Sequence, residues 1–114
     1  MKVVYRVVPR VKIKNEKKTA RRPPCSCGSW LAHWEKFSKQ KAHKCSVYKC
    51  DEPATVATHI TRPAAESDDY KTDAYLVPMC ATHNAKHEEI FRSKNSVTFV
   101  WANVEETCGR ELPD

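Results

Sequence analysis

The chain opens on a weak alternation of valine or isoleucine with polar and basic residues: Val7, Val8, then Val11, Lys12, Ile13 and Lys14. β-Branched residues in this pattern favour extended backbone. Pro9 has no N–H to give to a ladder, so the segment is expected as an edge strand or ribbon. Residues 15–24 are polar and basic and end on Pro23 and Pro24, which marks a boundary near Pro24. Beyond it Trp30, His33, Trp34 and Phe37 fall on one helical face, with Ser29 placed to cap the helix. Residues 54–60 predict a strand that reaches His59, and Tyr75 to Pro78 predicts a short strand returning from an acidic, Pro63-containing loop. The two form a hairpin with a long tip. Residues 80–92 lack Gly and Pro and set Cys80, His83 and His87 on one face, so the spacing predicts a helix there. Residues 96–104 are rich in β-formers and predict a last strand. Strands and helices in this order give an α+β fold without internal repeats.

Length narrows the picture: 114 residues, 40% of them hydrophobic and 9% aromatic, allow one domain with a small core. Residues 1–24 read as a basic extended segment or edge strand, and residues 25–114 as a single domain. No apolar run approaches the ~20 residues that cross a bilayer, and cations interrupt the N-terminal valines where a signal peptide would be apolar. A cytoplasmic protein is expected, with no membrane partner. The net charge of +6 is divided unevenly. Residues 1–49 carry 14 Lys or Arg against two acids, whereas residues 50–114 carry six against twelve. Arg10, Lys12, Lys14, Lys17, Lys18, Arg21 and Arg22 suit contacts with the phosphates of DNA or RNA. The competing reading is a solvated basic tail that serves solubility alone.

Six Cys and five His stand out in so short a chain. Without an export signal the thiols are expected reduced, and their mixture with His favours zinc over disulfides. Tetrahedral zinc is usually held by two close pairs of ligands, because a tight turn or a first helical turn aims two side chains at one point. Cys45 with Cys50 suits a knuckle, and Cys80 with His83 suits the opening of a helix; His87, one turn further on, competes as fourth ligand. The alternative is a set of buried thiols with no metal. Cys25, Cys27 and Cys108, with His33 or His43, could form a second zinc site, although three free thiols are the simpler account. His33 also reads as a hydrogen-bonded core histidine between two tryptophans.

With these elements in order, Cys45, Cys50, the strand ending Ala57-Thr58-His59-Ile60, and the run from Leu76 through Cys80 to His83 and Asn84 resemble the HNH nuclease family in its zinc-bearing form. The resemblance covers fewer than half the residues. It implies a small treble-clef, or ββα-metal, domain following the basic N-terminal segment and helix. It also implies that His59 activates water while Asn84 helps hold Mg²⁺ or Mn²⁺ at a scissile phosphate, a division that phosphodiester hydrolysis requires. Two positions depart from the family pattern. Thr58 stands where Asp or His would ligate the metal, and Tyr75 stands where the family has Asn. Three readings follow: a metal-dependent endonuclease, an HNH-like module that binds nucleic acid without cleaving it, and a protein-interaction or inhibitor module. The last would use Trp30, Trp34 and Phe37, or the acidic loop at 66–73, as its contact, whereas the same aromatic residues serve equally as core.

Overall fold

The computed structural model describes residues 3–7, 10–16, 29–66, 71 and 74–102. Six strands make one antiparallel sheet: β1 (Val4–Val7), β2 (Lys12–Asn15), β3 (Val56–Thr61), β4 (Tyr75–Met79), β5 (Ile90–Arg92) and β6 (Val97–Trp101). Their spatial order is β1-β6-β4-β3-β2-β5. Among the described residues they are accompanied by α1 (Trp30–Ser38) and the single turn α2 (Ala81–Asn84). The architecture is α+β and mostly strand. No helix among the described residues is long and apolar enough to cross a membrane.

The expected hairpin is the centre of the sheet. β3 and β4 pair from Val56 opposite Met79 to Ile60 opposite Tyr75. All five residues of β4 are buried, which explains why the strand reads as a continuous apolar run: it is covered on both faces. On one face Leu76 joins Val100 beneath Trp34 of α1, with Trp30, Phe37 and Ala57 packed around them. On the other, Tyr75, Val77 and Met79 join Ile13, Ile60, Val97 and Phe99. Each large apolar side chain withdrawn from water in this way contributes about 1.5–3 kcal/mol before entropy is counted. Pro78 is tolerated in β4 because β6 pairs only with Tyr75 and Leu76. Past that point the Pro78 carbonyl accepts instead from the Ser46 amide and the Ser46 hydroxyl, at 3.0 and 2.7 Å.

α1 forms as the apolar spacing predicts. The Ser29 hydroxyl accepts from the Ala32 amide at 3.0 Å, and the helix ends where Lys39 enters the left-handed region at φ 59°. Trp34 is 4% exposed, and its indole N–H donates to the Thr98 carbonyl at 2.9 Å. Trp34 is therefore core, with Trp30 and Phe37 half-buried against it.

Two expectations need correction. The helix over residues 80–92 stops at Asn84, and Ile90–Arg92 is a strand paired with β2. The chain turns at Glu88, whose φ of 67° no α-helix accommodates. Phe91 then packs on the core while Ile90 is exposed. At the N-terminus β1 is an edge strand paired with β6, as expected, but the segment holds a second strand, β2, which lies inside the sheet between β3 and β5. The last strand, expected over 96–104, runs over Val97–Trp101, and residues 103 and 104 lie outside the described residues.

Candidate metal centre and the adjacent cleft

The two ligand pairs anticipated from spacing meet. The donor atoms of Cys45, Cys50, Cys80 and His83 all lie within 4.8 Å of one another and could hold a metal ion. The Cys45 and Cys80 sulfurs stand 3.6 and 3.3 Å from His83 Nδ1, and the Cys50 and Cys80 sulfurs are 4.0 Å apart. All three cysteines are free thiols.

Local chemistry builds each half. Residues 44–53 fold back on themselves, with Lys44 bridged to Pro53 and the Cys45 amide donating to the Glu52 carbonyl at 2.9 Å. Lys49 takes φ 67°, and the Cys50 amide closes the turn on the Val47 carbonyl at 3.0 Å. Both cysteines thereby face β4, and the Lys94 ammonium fixes the Cys50 carbonyl. In the second half Cys80 caps α2, its sulfur accepting from the His83 amide at 3.5 Å. The edge of the Phe91 ring meets the His83 imidazole, centroids 5.0 Å apart.

Burial pushes the Cys45 thiol up to about 11, against the pull of the Cys80 and Val47 amides. Burial also raises Cys80, but donation from the His83 amide and from the Cys45 and Cys50 thiols outweighs it, and the net direction is down. A cation among these sulfurs favours the thiolate at all of them.

Asn15 is the residue that sequence reasoning missed. Its buried side-chain amide shares two N–H groups among the carbonyls of His83, Asn84 and Lys86, at 3.0, 2.9 and 3.1 Å. The His83 carbonyl also accepts from the Lys86 amide at 3.1 Å, so the Asn15 amide matters most to the Asn84 and Lys86 carbonyls at the end of the α2 turn. A polar residue among the lysines of β2 carries no local sign of this task, since its partners lie about 70 positions away.

Beside the metal centre lies a cleft of about 270 Å³ lined by His59, Asn84, Thr58, Glu16 and Trp30. The Thr58 hydroxyl donates to Asn84 Oδ1 at 2.7 Å, so these two side chains satisfy each other. His59 meets the edge of Trp30 at 4.7 Å between centroids. Burial, with repulsion from His33, lowers the His59 imidazole from 6.5 to about 4, leaving it neutral at pH 7. Glu16 brings the cleft a carboxylate, and one of its oxygens accepts from the Thr61 hydroxyl at 2.7 Å.

The other candidates separate. His87 is exposed on the turn after α2, outside the cluster that His83 completes. His33 is fully buried, its Nε2 3.2 Å from the Trp101 carbonyl. Since a carbonyl only accepts, that nitrogen carries the proton, and it is turned to the core. Cys25, Cys27 and Cys108, proposed with His33 as a second zinc site, lie outside the described residues, as do Lys17, Lys18, Arg21 and Arg22. Arg10 lies over the Tyr48 ring, 4.1 Å from its centroid; Lys12 is exposed opposite Arg92; Lys14 is 4.0 Å from Glu88. No family model, curated protein or solved structure matches the chain.

Proposed function

We propose that the chain is a zinc-stabilised, HNH-like protein of the treble-clef type that binds nucleic acid. The observation that carries the reading is the juxtaposition of a three-cysteine, one-histidine cluster with a cleft that takes in both His59 and Asn84. Three thiolates and an imidazole form a donor set that suits Zn²⁺. Bond lengths of about 2.3 Å to sulfur and about 2.0 Å to nitrogen put tetrahedral ligand atoms about 3.5–3.8 Å apart. The separations of 3.3, 3.6 and 4.0 Å between donors are close to that.

The bond between Thr58 and Asn84 favours binding over cleavage, because it occupies the oxygen that would otherwise face a cation. Binding that rests on phosphates weakens steeply as salt rises. Anisotropy titration of labelled DNA and RNA over a salt series is expected to give that slope. Binding that is absent, or indifferent to salt, would contradict the reading.

One observation favours a metal-dependent endonuclease as the second reading: a neutral imidazole, an amide and the Glu16 carboxylate line the same cleft. In that case His59 accepts the proton of water, and Glu16 replaces the acid missing at Thr58 as a holder of Mg²⁺ or Mn²⁺. The deciding assay compares wild type with His59→Ala on supercoiled plasmid, single-stranded DNA and RNA, with either ion. Cleavage lost in the variant establishes catalysis, whereas equal cleavage by both proteins removes His59 from it.

A further inference from the structure

A second cleft, of about 260 Å³, lies away from His59 where β2, β5 and the turn after β3 meet. Its walls carry Arg10, Lys12, Arg62 and Arg92, and none of the described residues that line it is acidic. Lys12 and Arg92 stand directly opposite each other across the β2–β5 ladder. Like charges in that position repel, by a few tenths of a kcal/mol or more. The ion pairs between described residues, Lys14 with Glu88 and Lys44 with Asp51, do not reach either of them. An anion in the cleft removes the repulsion.

The neighbouring surface says which anion. Tyr48 is 37% exposed, and its amide donates to the Arg92 carbonyl at 2.8 Å, which sets it beside the cleft. Arg10 lies over its ring at 4.1 Å, and the Lys49 ammonium is 5.4 Å from the same centroid. A groove of cations with an aromatic ring at its rim is the arrangement that tracks a single-stranded backbone and stacks a base. A duplex keeps its bases stacked on each other and has no use for the ring.

We propose that this basic cleft binds the phosphates of single-stranded nucleic acid and that Tyr48 stacks an adjacent base. The proposal rests on the nucleic-acid reading above but assigns it a place distinct from the His59 cleft. It also assigns roles to Arg62, Arg92 and Tyr48, outside the basic run of the first 22 residues. The metal centre acts through position, since Tyr48 belongs to the turn that Cys45 and Cys50 close.

The test is anisotropy titration of oligo(dT), oligo(U) and a duplex of equal length. It compares wild type, Arg10→Ala/Lys12→Ala/Arg92→Ala, Tyr48→Leu, and a control that removes three cations elsewhere, Lys39→Ala/Lys41→Ala/Lys44→Ala. Melting curves establish that each variant is folded. The cleft variant is expected to lose about tenfold or more in affinity for single strands, and its salt slope should fall by about 2, at about 0.7 per phosphate contact. Tyr48→Leu should lose about fivefold or more on single strands and little on the duplex. Equal losses in the cleft and control variants would overturn the proposal while leaving nucleic-acid binding intact. Preference of the wild type for the duplex, with Tyr48→Leu unaffected, would overturn it as well. A wild type that binds none of the three probes at low salt would overturn the broader reading too.

Discussion

The two faces of the central sheet are covered in different ways. On one, α1 is a nine-residue helix with a hydroxyl cap, a left-handed C-cap and a stripe of aromatic residues. Its backbone hydrogen bonds are internal, and it holds the sheet by that stripe together with side-chain bonds from Trp34 and His33 to β6 carbonyls. On the other, a larger set of buried side chains, including Tyr75, Val77, Met79 and Phe99, lies beneath a folded-back turn and the four-residue α2, with the three-residue β5 at the edge of the sheet beside them. Pieces so short do not persist alone. Asn15 ties the end of α2 to β2, and the donor cluster brings residues 45 and 50 against 80 and 83, where a metal ion could join them. A regular element covers a core by itself, whereas irregular chain must be pinned to it.

The largest effect that could break this comparison is loss of the metal proposed for the Cys45, Cys50, Cys80 and His83 cluster. Structural zinc supplies on the order of 10 kcal/mol of binding free energy to small domains. Chelation is expected to accelerate hydrogen exchange first at residues 45–53 and 90–94, with α1 protected longest. Simultaneous loss in both regions would show that the faces are not separable. Next is Trp34→Ala, which removes the anchor of α1 and is expected to cost about 3–5 kcal/mol in denaturant unfolding. Metal content of the folded fraction should stay unchanged, and metal loss would tie α1 to the centre. Asn15→Ala strands the Asn84 and Lys86 carbonyls at the end of the α2 turn and is expected to cost about 2–3 kcal/mol. It should weaken metal affinity in competition with a chelator, and unchanged affinity would mean that α2 needs no pin.

The smallest effect depends on pH. His59 is lowered from 6.5 to about 4 in the folded chain. Between those values the unfolded chain holds a proton that the folded one does not, so stability is full above pH 6.5 and falls as pH drops towards 4. After allowance for the partial exposure of the ring, the loss is about 1–2 kcal/mol. His59→Gln should flatten that limb of the stability curve, and a curve parallel to wild type would place the titration elsewhere.

The parts of the molecule that were legible in the sequence are those with local causes. Cys45 with Cys50 and Cys80 with His83 announce turns that need nothing distant, and the β3–β4 hairpin and the stripe of α1 carry their periods within one segment. The chain after Asn84 shows the limit. Cys80, His83 and His87 keep helical spacing, yet the helix ends because the Asn15 amide takes its carbonyls and because Phe91 finds a place on the core. Neither cause is within reach of a local window. Thr58 is similar: its departure from the HNH pattern was visible, but its partner, Asn84, is known only from the fold. The basic cleft draws on Arg62 and Arg92, neither of which belongs to the basic run of the first half.

The most direct measurement is metal content by mass spectrometry, on protein purified without added metal, for wild type, Cys45→Ser, His83→Ala and His87→Ala. A centre built by Cys45, Cys50, Cys80 and His83 requires the first two variants to hold one zinc fewer per chain than wild type, and His87→Ala to match it. Zinc retained in Cys45→Ser, or lost in His87→Ala but not in His83→Ala, would contradict it.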